Sequence, residues 1–161
     1  MDIKALADKY NDYIIERRRY YHTCPELSNE EKETRASLHK DLEAMGITDI
    51  KEMEHCYGMI ATIHGGKPGK TVALRSDIDA LPVKEETGLP FTSKNEGKMH
   101  ACGHDNHMAM LLGAAKILND VKDELCGDAF GLVGYTSDEV NRRRKEIAIR
   151  KVNGAKVKRC V

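Results

Sequence analysis

Apolar residues recur along the chain in two rhythms. Ile3, Leu6, Ala7, Tyr10, Tyr13, Ile14 and Tyr21 fall at helical spacing, which predicts one amphipathic helix over residues 2–22. Thr23-Cys24-Pro25 should stop it, because proline has no amide hydrogen and its ring clashes with the preceding turn. Ser28 followed by Glu31 has capping-box spacing and predicts a second helix carrying Leu38, Leu42 and Met45 on one side, with Gly46 placed to end it. The rhythm then shortens. Met59 to His64 reads as a strand, Gly65-Gly66-Lys67-Pro68-Gly69 as a turn, and Thr71 to Ser76 as a second strand, apolar enough in its middle to be buried on both faces. Residues 82–101 are punctuated by Pro82, Gly88, Pro90 and Gly97 and predict irregular structure. Asp105 or Asn106 can cap a third helix, with Met108, Leu111, Leu112, Ala115 and Leu118 as its apolar stripe. Helices interleaved with strands define an α/β class.

Composition narrows this picture. The chain has 161 residues, 40% of them apolar and 32% charged, which fits one globular domain and excludes disordered and fibrous classes. The longest apolar stretch, Met108 to Ala115, is too short to cross a bilayer. The amino-terminal segment mixes charged and apolar residues without a signal-peptide core, which predicts a cytoplasmic protein. Five irregularly spaced cysteines argue against a disulfide framework. The balance of 26 basic and 26 acidic side chains hides an asymmetry: Ser137 to Val161 holds nine Lys/Arg against three Asp/Glu. That break predicts a separate basic, helical tail. Arg142-Arg143-Arg144 has only Tyr135 nearby as an aromatic and lies in no recognised nucleic-acid-binding pattern, so no nucleic-acid partner is expected.

Two segments carry candidate chemistry. In Arg75-Ser76-Asp77-Ile78-Asp79-Ala80-Leu81-Pro82, two carboxylates stand two residues apart at the carboxyl end of an apolar strand. They share one side if the strand persists, and α/β ligand sites lie beyond such strand ends. In His100-Ala101-Cys102-Gly103-His104-Asp105-Asn106-His107, Cys102 and His104 flank a glycine just before a helix, whose dipole should favour the thiolate. Sulfur with imidazole suits zinc, cobalt or manganese better than magnesium or calcium. Asp77 and Asp79 can supply or orient further contacts, and no histidine follows His107.

These segments, together with Arg-Arg-x-x-His-x-x-Pro-Glu-Leu at 18–27, resemble the M20 metallopeptidase family, in the branch of amidohydrolases that cleave N-acyl amino acids, including hippurate and auxin-conjugate hydrolases. The resemblance runs from about residue 10 to residue 125. It implies part of a catalytic domain with helices packed on a mixed sheet, a two-metal centre, a small N-acyl amino acid as substrate and a possible homo-oligomer. Carried over by position, Cys102 and His104 match metal ligands, and Asp77 and Asp79 match the acids behind them, with the catalytic-aspartate role open between the two. His22 matches a motif residue and reads as structural, and Cys24 and Cys56 as incidental thiols.

Beyond the third helix the resemblance weakens. The family calls for a strand ending in a Glu-Glu pair and, later, two more histidines, whereas residues 126–135 read Cys-Gly-Asp-Ala-Phe-Gly-Leu-Val-Gly-Tyr. The expectation is therefore an amino-terminal fragment with an incomplete metal centre, weakly active or inactive by itself. Residues 134–155 resemble the cytoplasmic segment of FtsX-like permeases, with Phe130 to Val133 as the stub of a membrane helix. That divides the chain into a partial catalytic domain over 1–125 and an unrelated tail over 126–161, with a non-catalytic metal-binding or interaction fragment from a gene fusion as the alternative function.

Overall fold

The computed structural model describes residues 2–133, with side chains as far as Ala129, so the expectations for the basic tail lie outside the described residues. The amino-terminal pattern folds as two helices where the spacing predicts one. Helix α1 (Ile3–Lys9) is capped by Asp2, and the N–H of Tyr10 closes back onto Ala7, ending it before α2 (Asn11–Thr23) begins. The break is held from outside, because Lys9 and the Tyr10 hydroxyl both reach the carboxylate of Asp120. Helix α2 stops at the expected place.

Helix α3 (Lys32–Ala44) begins without the expected capping box. Glu31 occupies the cap position with its side chain buried and makes no cap bond. Glu26 takes the job instead: its carboxylate accepts from the N–H of Glu33 at 3.3 Å and from the N–H and hydroxyl of Thr34, both at 2.7 Å. The far end follows the pattern. Gly46 adopts φ 79°, its N–H bonds the carbonyl of Glu43 and that of Ile47 bonds Leu42, closing the carbonyls that a helix end leaves free.

Four strands, β1 (Ile50–Glu52), β2 (Met59–Ile63), β3 (Val72–Ser76) and β4 (Ala129–Val133), form one mixed sheet in the order β1-β2-β4-β3, with β4 antiparallel to β2 and parallel to β3. The apolar run at 130–133 is therefore part of a strand inside this sheet rather than the stub of a membrane helix. On β2, Met59, Ala61 and Ile63 point inward and are buried. Helix α4 (His104–Asp120) lays Met108, Leu112 and Ala115 over them, closing a core shared with Leu38 and Leu42 of α3. Its other neighbour, α2, comes so near that a Cβ on Gly113 would lie 2.5 Å from Cδ1 of Ile14. A side chain at 113 would require the Ile14 side chain to move aside.

Strand β3 departs from its apolar reading. Only Ser76 of its five residues is buried, and Val72 is 58% exposed. Its inner edge pairs with β4, while among the described residues no strand pairs with its outer edge. A strand apolar on both faces needs two covering layers, and this one has one.

Candidate functional site

The carboxyl end of β3 and the amino end of α4 meet. After Ser76 the backbone leaves the sheet but keeps an alternating pattern: Ile78 is buried in the core, so Asp77 and Asp79 turn to the other side. The chain is pinned there by the N–H of Ala80, which donates to the carbonyl of Glu26 at 2.7 Å. Opposite, the turn 100–103 closes with the N–H of Gly103 on the carbonyl of His100, and Gly103 takes φ 86°. A residue with a Cβ is strained at that angle. The glycine thus lets the chain reverse between Cys102 and His104 and present both to the same place.

That place is Asp79. His104 Nδ1 lies 2.8 Å from the Asp79 carbonyl and 3.0 Å from its Oδ1, while Cys102 Sγ lies 3.8 Å from the same carbonyl. Because both neighbours of Nδ1 are acceptors, Nδ1 carries the hydrogen, and the neutral ring offers its lone pair at Nε2. Asp77 stands on that side, its Oδ2 4.0 Å from Nε2, while its Oδ1 pairs with Arg75. The two acids therefore flank one imidazole, one at each nitrogen. The hydrogen bond to Asp79 raises the pKa of His104. Burial works to raise that of Asp79, but the His104 contact outweighs it and holds the carboxylate low.

Cys102 differs from its expectation. Partial desolvation pushes its thiol pKa up, so the thiol form is favoured despite the helix start nearby. His100, two residues earlier, is 3% exposed with neither ring nitrogen partnered, and burial lowers its pKa to about 4. His107 is exposed, its ring 5.4 Å from that of His104.

The donor set fits part of a metal centre. It holds a thiol, an imidazole with a free Nε2, a carboxylate fixing that ring from behind and a second carboxylate on the open side. Among the described residues no group of three or more His, Cys, Asp or Glu side chains converges as a ligand cluster.

Sequence reasoning missed a second buried array beside this one. Asp105, expected as a helix cap, sits inside the first turn of α4 and is fully buried; Gly103 holds the cap position. Its Oδ1 accepts from the N–H of Asn106 at 2.9 Å. Its Oδ2 lies 2.7 Å from His22 Nδ1 and 3.0 Å from Arg18 Nε. On the other side, His22 Nε2 meets Glu85 Oε1 at 3.0 Å. Burial works against the charge of Glu85, but hydrogen bonds from Thr87, the N–H of Ser93 and His22 overcome it and lower its pKa to about 2. The only signal in the sequence was the Arg-Arg-x-x-His motif, which does not name its partners.

A family model described as peptidase family M20/M25/M40 matches residues 73–153, taking in both acids, Cys102 and His104. The chain belongs to the M20 peptidase family. It is 42% identical over 127 residues to an N-acyl-L-amino acid amidohydrolase of Geobacillus stearothermophilus, covering 79% of this chain and 34% of that protein. It is 51% identical over 114 residues to an N-acetyl-L-cysteine deacetylase of Bacillus subtilis, covering 71% and 27%. Among solved structures, a Bacillus subtilis protein described as a dinuclear metal binding peptidase of the M20 family superposes with TM-score 0.73 at 37% identity, over 93% of this chain and 41% of that one. The chain thus spans about a third of the length of such curated M20 relatives. The match continues to residue 153, through most of the stretch that resembles a permease segment, and the comparisons do not support that second resemblance. Among the described residues no helix is long and apolar enough to cross a membrane.

Proposed function

We propose that this M20 chain contributes to metal-dependent hydrolysis of the amide bond in N-acyl amino acids. Cys102 and His104 are its metal ligands, and Asp79 is the acid that orients His104. The observation that carries this reading is the hydrogen bonding of His104 Nδ1 to Asp79, which leaves Nε2 free on the side that Asp77 faces. A divalent ion of the zinc, manganese or cobalt class would supply Lewis acidity and a more acidic water. Asp79 keeps the ring in one tautomer and raises its basicity, which favours cation binding. Cys102 gives up its proton when a cation arrives, so uptake through it is stronger at higher pH. The substrate class follows from relatives named for N-acyl-L-amino acids and N-acetyl-L-cysteine.

A second reading, a metal-binding segment without turnover, is favoured by the lack of a third converging donor among the described residues. One experiment separates the two. The 161-residue chain is titrated with Co2+ while the sulfur-to-cobalt absorption is followed, and release of free amino acid from N-benzoyl- and N-acetyl-amino acids is then measured. Cobalt binding with amino acid release, both lost in Cys102→Ser and His104→Ala, supports hydrolysis. Binding without release supports the second reading. A wild-type chain with no sulfur–cobalt band overturns both.

A further inference from the structure

We infer that His22 is a positioning residue for the metal-facing turn, fastening the 82–99 segment and the start of α4 to helix α2 at one point. This inference rests on the function proposed above. His22 is 2% exposed and projects from the last turn of α2 between two carboxylates from distant parts of the chain. Nδ1 lies 2.7 Å from Asp105 and Nε2 3.0 Å from Glu85. The Asp105 contact acts on the site through the backbone: Asp105 follows His104 directly, and its second oxygen accepts the next N–H, so its side chain sets how the first turn of α4 is presented. The Glu85 contact acts on the irregular segment. Glu85 also accepts from the N–H of Ser93 at 2.6 Å, drawing both halves of that segment onto one carboxylate. Phe91 of the same segment lies with its ring 5.7 Å from that of His22 in an edge-to-face arrangement, with the Arg18 guanidinium 5.1 Å from its centre.

A side chain that merely filled space would need none of this. An imidazolium presents two N–H donors at opposite edges of a rigid ring, so it can hold two carboxylates at a fixed separation. Leucine or methionine of similar size would leave Asp105 and Glu85 without the ring between them. The position of His104 thus depends on a ring it never touches.

The test compares His22→Ala, Glu85→Gln and the remote core variant Leu112→Ala with wild type, all as the 161-residue chain. It reads Co2+ affinity through the sulfur–cobalt band and amide hydrogen exchange by mass spectrometry. His22→Ala is expected to weaken Co2+ binding by about tenfold, the lower end of what loss of a direct outer contact to a metal ligand costs, because it acts through Asp105. It should also speed exchange both in 82–99 and in the first turn of α4. Glu85→Gln should speed exchange in 82–99 alone, with Co2+ affinity within about threefold of wild type. Leu112→Ala lowers stability but leaves Co2+ affinity unchanged while folded. Should His22→Ala fail to fold by circular dichroism, His22→Gln, which keeps an N–H donor, decides. Co2+ affinity between that of wild type and a tenfold loss, with α4 exchange slow, supports positioning by donation to Asp105; fast exchange at wild-type affinity overturns it. Wild-type affinity in His22→Ala overturns the positioning role alone. Absence of the band in wild type overturns the metal reading and this inference with it.

Discussion

The two ends of β3 are built on opposite terms. At its carboxyl end, where the chain passes to Asp77 and Asp79, charged side chains are packed densely; His104, His22, Arg18 and their acids pair with one another, while Glu31 and His100 are buried without a partner. Along the strand itself, Val72 and Leu74 stand exposed, and no described strand covers the outer edge. Burying charge is costly, so a buried group either finds a partner or shifts toward its neutral form, as Glu31 and His100 do. Exposing a few apolar residues costs far less in a single molecule but leaves a surface that other chains can use. The first end is thus held mainly by internal polar contacts. The second is an apolar strand whose sequence suits neighbours on both sides.

The sharpest way to break this contrast is at Asp105. Asp105→Ala removes the buried carboxylate that hydrogen-bonds His22 and pairs with the charge of Arg18, and is expected to cost about 3–5 kcal/mol, read as a lower urea midpoint. Asp105→Asn keeps the shape and an acceptor oxygen and should cost less, about 1–3 kcal/mol. If both variants unfold at the wild-type midpoint, the array contributes nothing and the proposed difference between the two ends disappears.

How far the sequence discloses each end follows from the range of the contacts. Helices α3 and α4 and strands β2 and β3 were legible because their apolar periodicity is local. Strand β1 has three residues and β4 carries Gly131 in its middle, so neither gives a pattern; they exist because β2 and β3 offer them edges. Cys102, His104, Asp77 and Asp79 stood out as candidates because metal-type side chains are crowded into two short segments, and the structure brings those segments together. That Asp79 takes the Nδ1 side was not legible, since it depends on a turn left-handed at Gly103. The His22 array was hidden for the same reason: its members are 63 and 83 residues apart in the chain. Glu26 as the α3 cap and Glu31 as a buried acid reversed the reading of a local motif, because a carboxylate earlier in the chain reached the free amides first.

A smaller effect tests the buried end through pH. Burial, with the nearby charge of Asp79 adding to it, raises the pKa of Glu31 from 4.5 to about 7. The folded state therefore holds a proton that the unfolded state has lost, and the Glu31 contribution to stability, full below about pH 4.5, is lost as pH rises through 7. His100 has the opposite sign. Its pKa drops from 6.5 to about 4, so its contribution is full above about pH 6.5 and lost as pH falls through 4. Between roughly pH 4.5 and 6.5 the two slopes oppose each other. In metal-free urea titrations, Glu31→Gln should make stability rise with pH across that window relative to wild type. His100→Asn should make it fall, each by about 1–2 kcal/mol. Parallel profiles for the three proteins would show that these groups titrate alike in the folded and unfolded chains.

The smallest effect on folding belongs to the exposed strand, and it sharpens the comparison most. Val72 is 58% exposed on an edge, so Val72→Thr keeps the β-branched shape, removes apolar surface that water already reaches, and should shift the urea midpoint by less than about 0.5 kcal/mol. Its consequence lies between molecules. Leu74 and Met110 of the same exposed region are 37% and 55% accessible, and among the described residues no strand pairs with the outer edge of β3 beside them. Wild type should therefore sediment as a concentration-dependent mixture of oligomers, and Val72→Lys, which places a charge on the edge, should shift it toward monomer at unchanged stability. The same charge introduced at Leu112 would unfold the chain, because there it would have no partner and no water. A Val72→Lys variant that still associated like wild type would mean that some other surface joins the copies and that the bare edge of β3 is already protected.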